Sequence, residues 1–112
     1  MHKKPIDVTD KNFQAIVFEA DKPVVVDFWA EWCPPCHTVS IWMENLAKAS
    51  GDKLIVTKVD ADQNPETIAA HEILGLPTIL FFHKGQLVHR QTDELNEADL
   101  QELVTSLWPD AR

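Results

Sequence analysis

Basic side chains are scarce: 10 Lys and Arg face 18 Asp and Glu, a formal net charge of -8 over 112 residues. Phosphate backbones are held mainly by Lys and Arg displacing counterions, so nucleic acid is not an expected partner. Glycine is scarcer still, at three residues. With no Gly/Ser linker, repeat or low-complexity tract there is no seam, and 1–112 is expected to form a single domain. Long apolar runs are missing as well. The start, MHKKPIDVTDKNF, lacks the apolar core of a signal peptide, and no window approaches the ~20 apolar residues of a membrane span. The expectation is a soluble, cytoplasmic protein with no membrane partner. Only two cysteines occur, three residues apart, too close for the disulfide framework of small secreted domains.

What is present is enough for a core, at 45% hydrophobic and 25% charged residues. After a short extended start, Thr9 is placed to cap a helix over about 10–20. Val24 to Trp29 is a nearly continuous β-branched and aromatic run, the composition of a strand buried on both faces and therefore central. Between Pro34 and about Ala49 the apolar residues Cys36, Val39, Met43, Leu46 and Ala47 fall at helical spacing. Lys53 to Val59 reads as a strand. Asn64 and Pro65 read as cap and first residue of a helix that ends at or before Gly75. Pro77 to Phe82 and Gln86 to Arg90 read as strands joined through His83-Lys84-Gly85, and Asn96 caps a last helix ending near Trp108-Pro109. The order βαβαβαββα predicts an α/β domain with a central mixed β-sheet flanked by helices on both faces.

The stretch Trp32-Cys33-Pro34-Pro35-Cys36-His37 admits three chemistries. Zinc needs about four ligands in a closed site, or three plus water. One C-x-x-C supplies two, and His2, His37, His71, His83 and His89 are scattered singly, so no metal site is expected. Cys33 to His37 also fits the C-x-x-C-H pattern of covalent haem attachment, which fixes only three residues and would further require an apolar pocket and usually a sixth ligand. Thiol redox chemistry asks for less: one thiolate to attack a disulfide and a neighbour to resolve the mixed disulfide. At a helix start the free N–H groups and the macrodipole lower a thiol pKa, which favours Cys33 as the exposed nucleophile and Cys36, one turn on, as the more buried resolving thiol. Two inert structural thiols are the remaining alternative.

With VVVDFWAEWCPPC in place, the chain resembles the thioredoxin family. VDADQNP (59–65), GLPT (75–78) and the ILFFHKGQLV hairpin extend the likeness over essentially the whole chain. The resemblance implies the thioredoxin fold, thiol–disulfide exchange on protein substrates without a cofactor beyond the redox-active disulfide, and recycling by an NADPH-dependent thioredoxin reductase. It implies that Pro77 is a cis-proline, with the backbone of Leu76 before it pairing with an extended substrate. It also makes Asp27 a buried proton acceptor for Cys36, its pKa raised by burial, with Lys58 as its partner. Trp29 is expected to pack and Trp32 to rim the site. Trp32, Pro34, Pro35, Gly75, Leu76, Thr92, Asp93 and Glu94 are the expected substrate-binding positions, and a monomer is the expected state.

Three departures from the family pattern bear on function. Pro34-Pro35 stands where Gly-Pro is usual, which removes one more backbone N–H near Cys33 and fixes another φ. Thr92-Asp93-Glu94 replaces a small apolar Val-Gly-Ala patch and is expected to repel acidic partners. Ile41 stands where a kinking proline is common. A disulfide oxidant or isomerase, or a binding module of the same fold without redox turnover, are the competing functions.

Overall fold

The computed structural model describes residues 4–111. Five strands form one mixed sheet in the order β1-β3-β2-β4-β5: β1 (Ile6–Asp7), β2 (Val24–Trp29), β3 (Ile55–Asp60), β4 (Thr78–His83) and β5 (Gln86–Gln91). β2 is central, as its apolar run predicts, pairing parallel with β3 and antiparallel with β4. Three α-helices follow in chain order, α1 (Pro34–Ser50), α2 (Pro65–Ala70) and α3 (Glu97–Leu107).

The two-residue period of β2 divides the core. Val24, Val26 and Phe28 join Phe13, Val17, Leu80 and Phe82 on one face. Val25 joins Val39, Met43, Leu46, Phe81, Leu100 and Val104, which come from α1, β4 and α3, on the other. Each such side chain is worth about 1.5–3 kcal/mol of burial, so the middle strand is the best anchored element. Alternation places Asp27 on the face that carries Val25 and α1, where it is 1% exposed.

The helix expected over 10–20 is instead a set of turns leading into a π-helical turn, Gln14–Phe18. Thr9 Oγ1 accepts only a 3.3 Å bond from the Lys11 amide. The wider turn puts Phe13 and Phe18, five apart, on one face with ring centroids 5.3 Å apart, both against Phe82. Packing of these rings outweighs the regular α geometry.

Asn64 precedes α2 but does not cap it with its side chain. Its amide bridges the Asp10 N–H and the Asp60 carbonyl. The cap comes from Asp10, whose carboxylate accepts from the Thr67 amide at 2.8 Å and the Thr67 hydroxyl at 2.6 Å. α2 stops well short of Gly75, because Glu72 turns the chain with φ 53°. Elsewhere the expected turn chemistry holds. Lys84 and Gly85 close the β4–β5 hairpin with positive φ at both positions, and a Cβ on Gly85 would sit 3.1 Å from the Phe18 carbonyl oxygen. Asn96 and Asp99 form a reciprocal capping box at α3. No helix among the described residues is long and apolar enough to cross a membrane.

Candidate active site

β2 delivers the chain directly to the cysteines. Beyond Trp29, the Cys33 amide donates to the Ala30 carbonyl at 3.2 Å, closing a turn that sets Cys33 as the residue before α1. Cys33 is extended (φ -104°, ψ 100°), makes no side-chain cap, and is followed by two prolines at the first helical positions. Proline suits those positions because the N–H it lacks would be unsatisfied there. No acidic residue occupies the first turn, so no carboxylate of the helix itself offsets the positive end of its dipole. Cys33 and Cys36 form a disulfide with Cα atoms 5.3 Å apart, and they pack with Ala30, Trp29 and Leu76.

The expected contrast in exposure is not found. Cys33 is 3% exposed and Cys36 1%, because Trp29, Ala30 and Leu76 close over both residues of the oxidised pair. What distinguishes the two is position: Cys33 lies outside the helix, Cys36 inside its first turn. His37 is exposed, and its Nε2 donates to the Glu31 carbonyl at 2.7 Å. Among the described residues no group of three or more His, Cys, Asp or Glu is placed to hold a metal ion.

Asp27 is a carboxyl in a core position, with Oδ1 buried and without a hydrogen-bond partner. Burial pushes its pKa up to about 7, against the opposing pull of the Lys58 charge. The register explains Lys58. Asp7, Lys58 and Asp27 are aligned across β1, β3 and β2, so the lysine lies between an exposed and a buried carboxylate. Its Nζ closes an ion pair with Asp7 at 3.7 Å and lies 5.9 Å from the centre of the Trp29 ring. Lys58 therefore acts on Asp27 through its field, while its ammonium keeps contact with water.

Around the pair, Trp32 stands 68% exposed and its indole N–H donates to Asp62 at 2.9 Å. The Leu76–Pro77 peptide is cis, and the Thr78 hydroxyl donates to the Gly75 carbonyl at 2.6 Å, bracing the loop. A groove of about 1120 Å³ runs beside the cysteines. It brings together Pro35, Gly75, Leu76, Pro77, Thr92, Asp93 and Glu94 from three separate parts of the chain. Trp32, Pro34, Asp27 and Lys58 do not line it.

The groove also contains residues outside the expected substrate-binding positions. Thr38 and Trp42 continue the helical stripe begun by Pro35, a spacing of three and four that was available in the sequence. Leu74, Glu72 and Arg90 also line it. Their placement depends on the left-handed turn at Glu72 and on the Arg90 guanidinium donating to the His71 carbonyl at 2.9 Å, neither of which has a local sequence signature.

The family model described as Thioredoxin matches residues 4–106. The chain is 42% identical over 101 residues to a thioredoxin from Alicyclobacillus acidocaldarius subsp. acidocaldarius, covering 87% of this chain and 95% of that one. It is 41% identical over 97 residues to a thioredoxin from Rhodospirillum rubrum, covering 87% and 93%. It is also 40% identical over 106 residues to a bifunctional thioredoxin reductase/thioredoxin from Mycobacterium leprae (strain TN), covering 91% of this chain and 23% of that one.

Proposed function

From the premise that this chain belongs to the thioredoxin family and is a protein disulfide oxidoreductase, we propose that it runs as a reductant, with Cys33 as nucleophile and Cys36 as resolving thiol. The observation that supports this most is the Cys33–Cys36 pair at the uncapped start of α1, with a buried carboxyl of pKa about 7 on the sheet face beneath that helix. The Cys33 thiolate attacks a partner disulfide, forming a mixed disulfide and releasing one partner thiolate. Asp27 takes the proton of Cys36, whose thiolate attacks Cys33 Sγ. The Cys33–Cys36 bond closes, the second partner thiolate leaves, and two electrons have passed to the partner.

Recycling then needs an external two-electron donor, assigned here to an NADPH-dependent thioredoxin reductase. A relative that carries reductase and thioredoxin in one chain supports that assignment. In this reading the protein is a single-domain monomer of the cytoplasm, carrying no cofactor other than its own disulfide, with partner protein chains rather than nucleic acid or membrane as its contacts. Leu76 and Gly75 offer backbone to an extended partner segment, while Pro35 and Trp32 shape the rim.

Single-cysteine variants test the roles. Cys33→Ser is expected to lower reduction of a protein disulfide by at least about 10³-fold, as expected when a nucleophile is removed. Cys36→Ser is expected to accumulate a mixed disulfide through Cys33, read by intact-protein mass. A mixed disulfide that forms on Cys36 in Cys33→Ser, and none on Cys33 in Cys36→Ser, would reverse the assignment.

A further inference from the structure

We propose that the groove beside the cysteines selects protein disulfides flanked by Lys or Arg, with Asp93 and Glu94 as the specificity-determining side chains. This rests on the oxidoreductase reading above and names its substrate class. The groove has an apolar floor and an acidic rim. Trp42, half-buried against the core, and Leu76 belong to the floor. Leu74 stands out into solvent at 96% exposure, an apolar side chain that a partner segment would cover.

The charges are one-sided. Glu72, Asp93 and Glu94 line the groove against one guanidinium, Arg90, and that group is tied back to the His71 carbonyl. Glu94 also lines an adjoining depression of about 400 Å³, where Asp99 and Glu102 extend the acidic track along α3. The whole chain, at -8, adds a field of the same sign. A second copy of this chain is a poor occupant, since it would bring carboxylates against carboxylates. An extended partner segment with an apolar residue for Leu74 and a basic residue for Asp93 and Glu94 meets both features. Complementary charge of this kind acts chiefly on encounter rate and on rejection of the wrong partner, and it weakens with salt.

Three disulfide-bridged peptides, identical except for Lys, Gln or Glu beside the reactive cysteine, provide the test, with second-order reduction rates measured at low salt and at about 1 M. For the reduced protein at low salt the Lys peptide is expected to react at least about five times faster than the Gln peptide, and the Glu peptide more slowly. Both differences are expected to shrink towards unity at high salt and in Asp93→Asn/Glu94→Gln, which removes charge at nearly constant shape. A Lys-to-Gln ratio of one at low salt overturns the selectivity, and so does a ratio that persists unchanged in the double variant; reduction of the Gln peptide would then leave the oxidoreductase reading standing. The salt series on the wild-type chain decides whether charge drives the preference, and if the double variant folds poorly the single variants Asp93→Asn and Glu94→Gln decide whether these two side chains carry it. Failure to reduce any of the three peptides overturns both readings.

Discussion

The helices α1 and α2 both begin on proline, and they treat their free N-terminal amides in opposite ways. At α2 a carboxylate from 57 residues earlier, Asp10, accepts from the Thr67 backbone and hydroxyl and, at 3.3 Å, from the Glu66 backbone. At α1 there is no side-chain cap and no acid, only Cys33 followed by Pro34 and Pro35. A helix start is an electropositive end whose first N–H groups lack intrahelical partners. The chain uses one such end to join its N-terminal segment to α2, and leaves the other open beside Cys33, the proposed nucleophile.

The sharpest way to separate the two ends is to disable Asp27, the proposed proton acceptor on the sheet face beneath α1. Asp27→Asn is expected to slow closure of the mixed disulfide by about 10²-fold and to remove the rise of that rate with pH near 7, measured by stopped-flow. The same substitution changes stability with a defined sign. Because the folded pKa of Asp27 is raised from 3.8 to about 7, the native state holds a proton that the unfolded chain has released between those values. The Asp27 contribution to stability therefore falls as pH rises through that window, by up to about 4 kcal/mol, and is level above it. His71 contributes the opposite slope. Burial among Phe13, Phe18 and Phe82, with the Arg90 charge adding to it, lowers its pKa, so stability is lost as pH falls below 6.5. Subtracting the Asp27→Asn denaturation curves from wild type cancels His71 and isolates Asp27.

Removing the α2 cap is expected to have a smaller effect and a different character. Asp10→Ala should lower the urea midpoint while leaving the midpoint potential of the cysteines unchanged, by urea unfolding and thiol titration. Burial alone would raise the Asp10 pKa, but the bonds from Thr67 and Glu66 outweigh it and hold it below the usual range. Its contribution is therefore present above pH 3.8 and fades as pH falls through the folded value.

How far these features were legible follows from the range over which each is specified. β2, the start of α1 at Pro34 and the Asn96 cap depend on neighbours within a few residues, and composition and spacing sufficed for them. Asn64 has the local signature of a cap, but the residue that takes that role, Asp10, lies 54 residues away in sequence. The π-helical turn was missed for a similar reason: Phe13 and Phe18 take that geometry to meet Phe82, far along the chain. Within the site, the cysteines and Asp27 were visible as a motif, whereas the groove is assembled from three segments by the turn at Glu72 and the Arg90 bond.

The smallest expected effect comes from giving α1 back one donor. Pro34→Gly restores an N–H close to Cys33, which should stabilise its thiolate, lower its pKa in alkylation rates, and raise the midpoint potential by about 30 mV or less, roughly 1.4 kcal/mol. An unchanged Cys33 pKa would mean that the amides at this helix end do not act on the sulfur.

The central claim, a Cys33–Cys36 couple poised as a reductant at an open but donor-poor helix start, is tested most directly by its midpoint potential. The purified protein would be equilibrated in graded thiol–disulfide buffers and its free thiols counted. The account predicts a value at or below about -270 mV, since two prolines leave the thiolate of the reduced form with fewer donors. A value between about -180 and -120 mV would make the protein an oxidant or isomerase and contradict it.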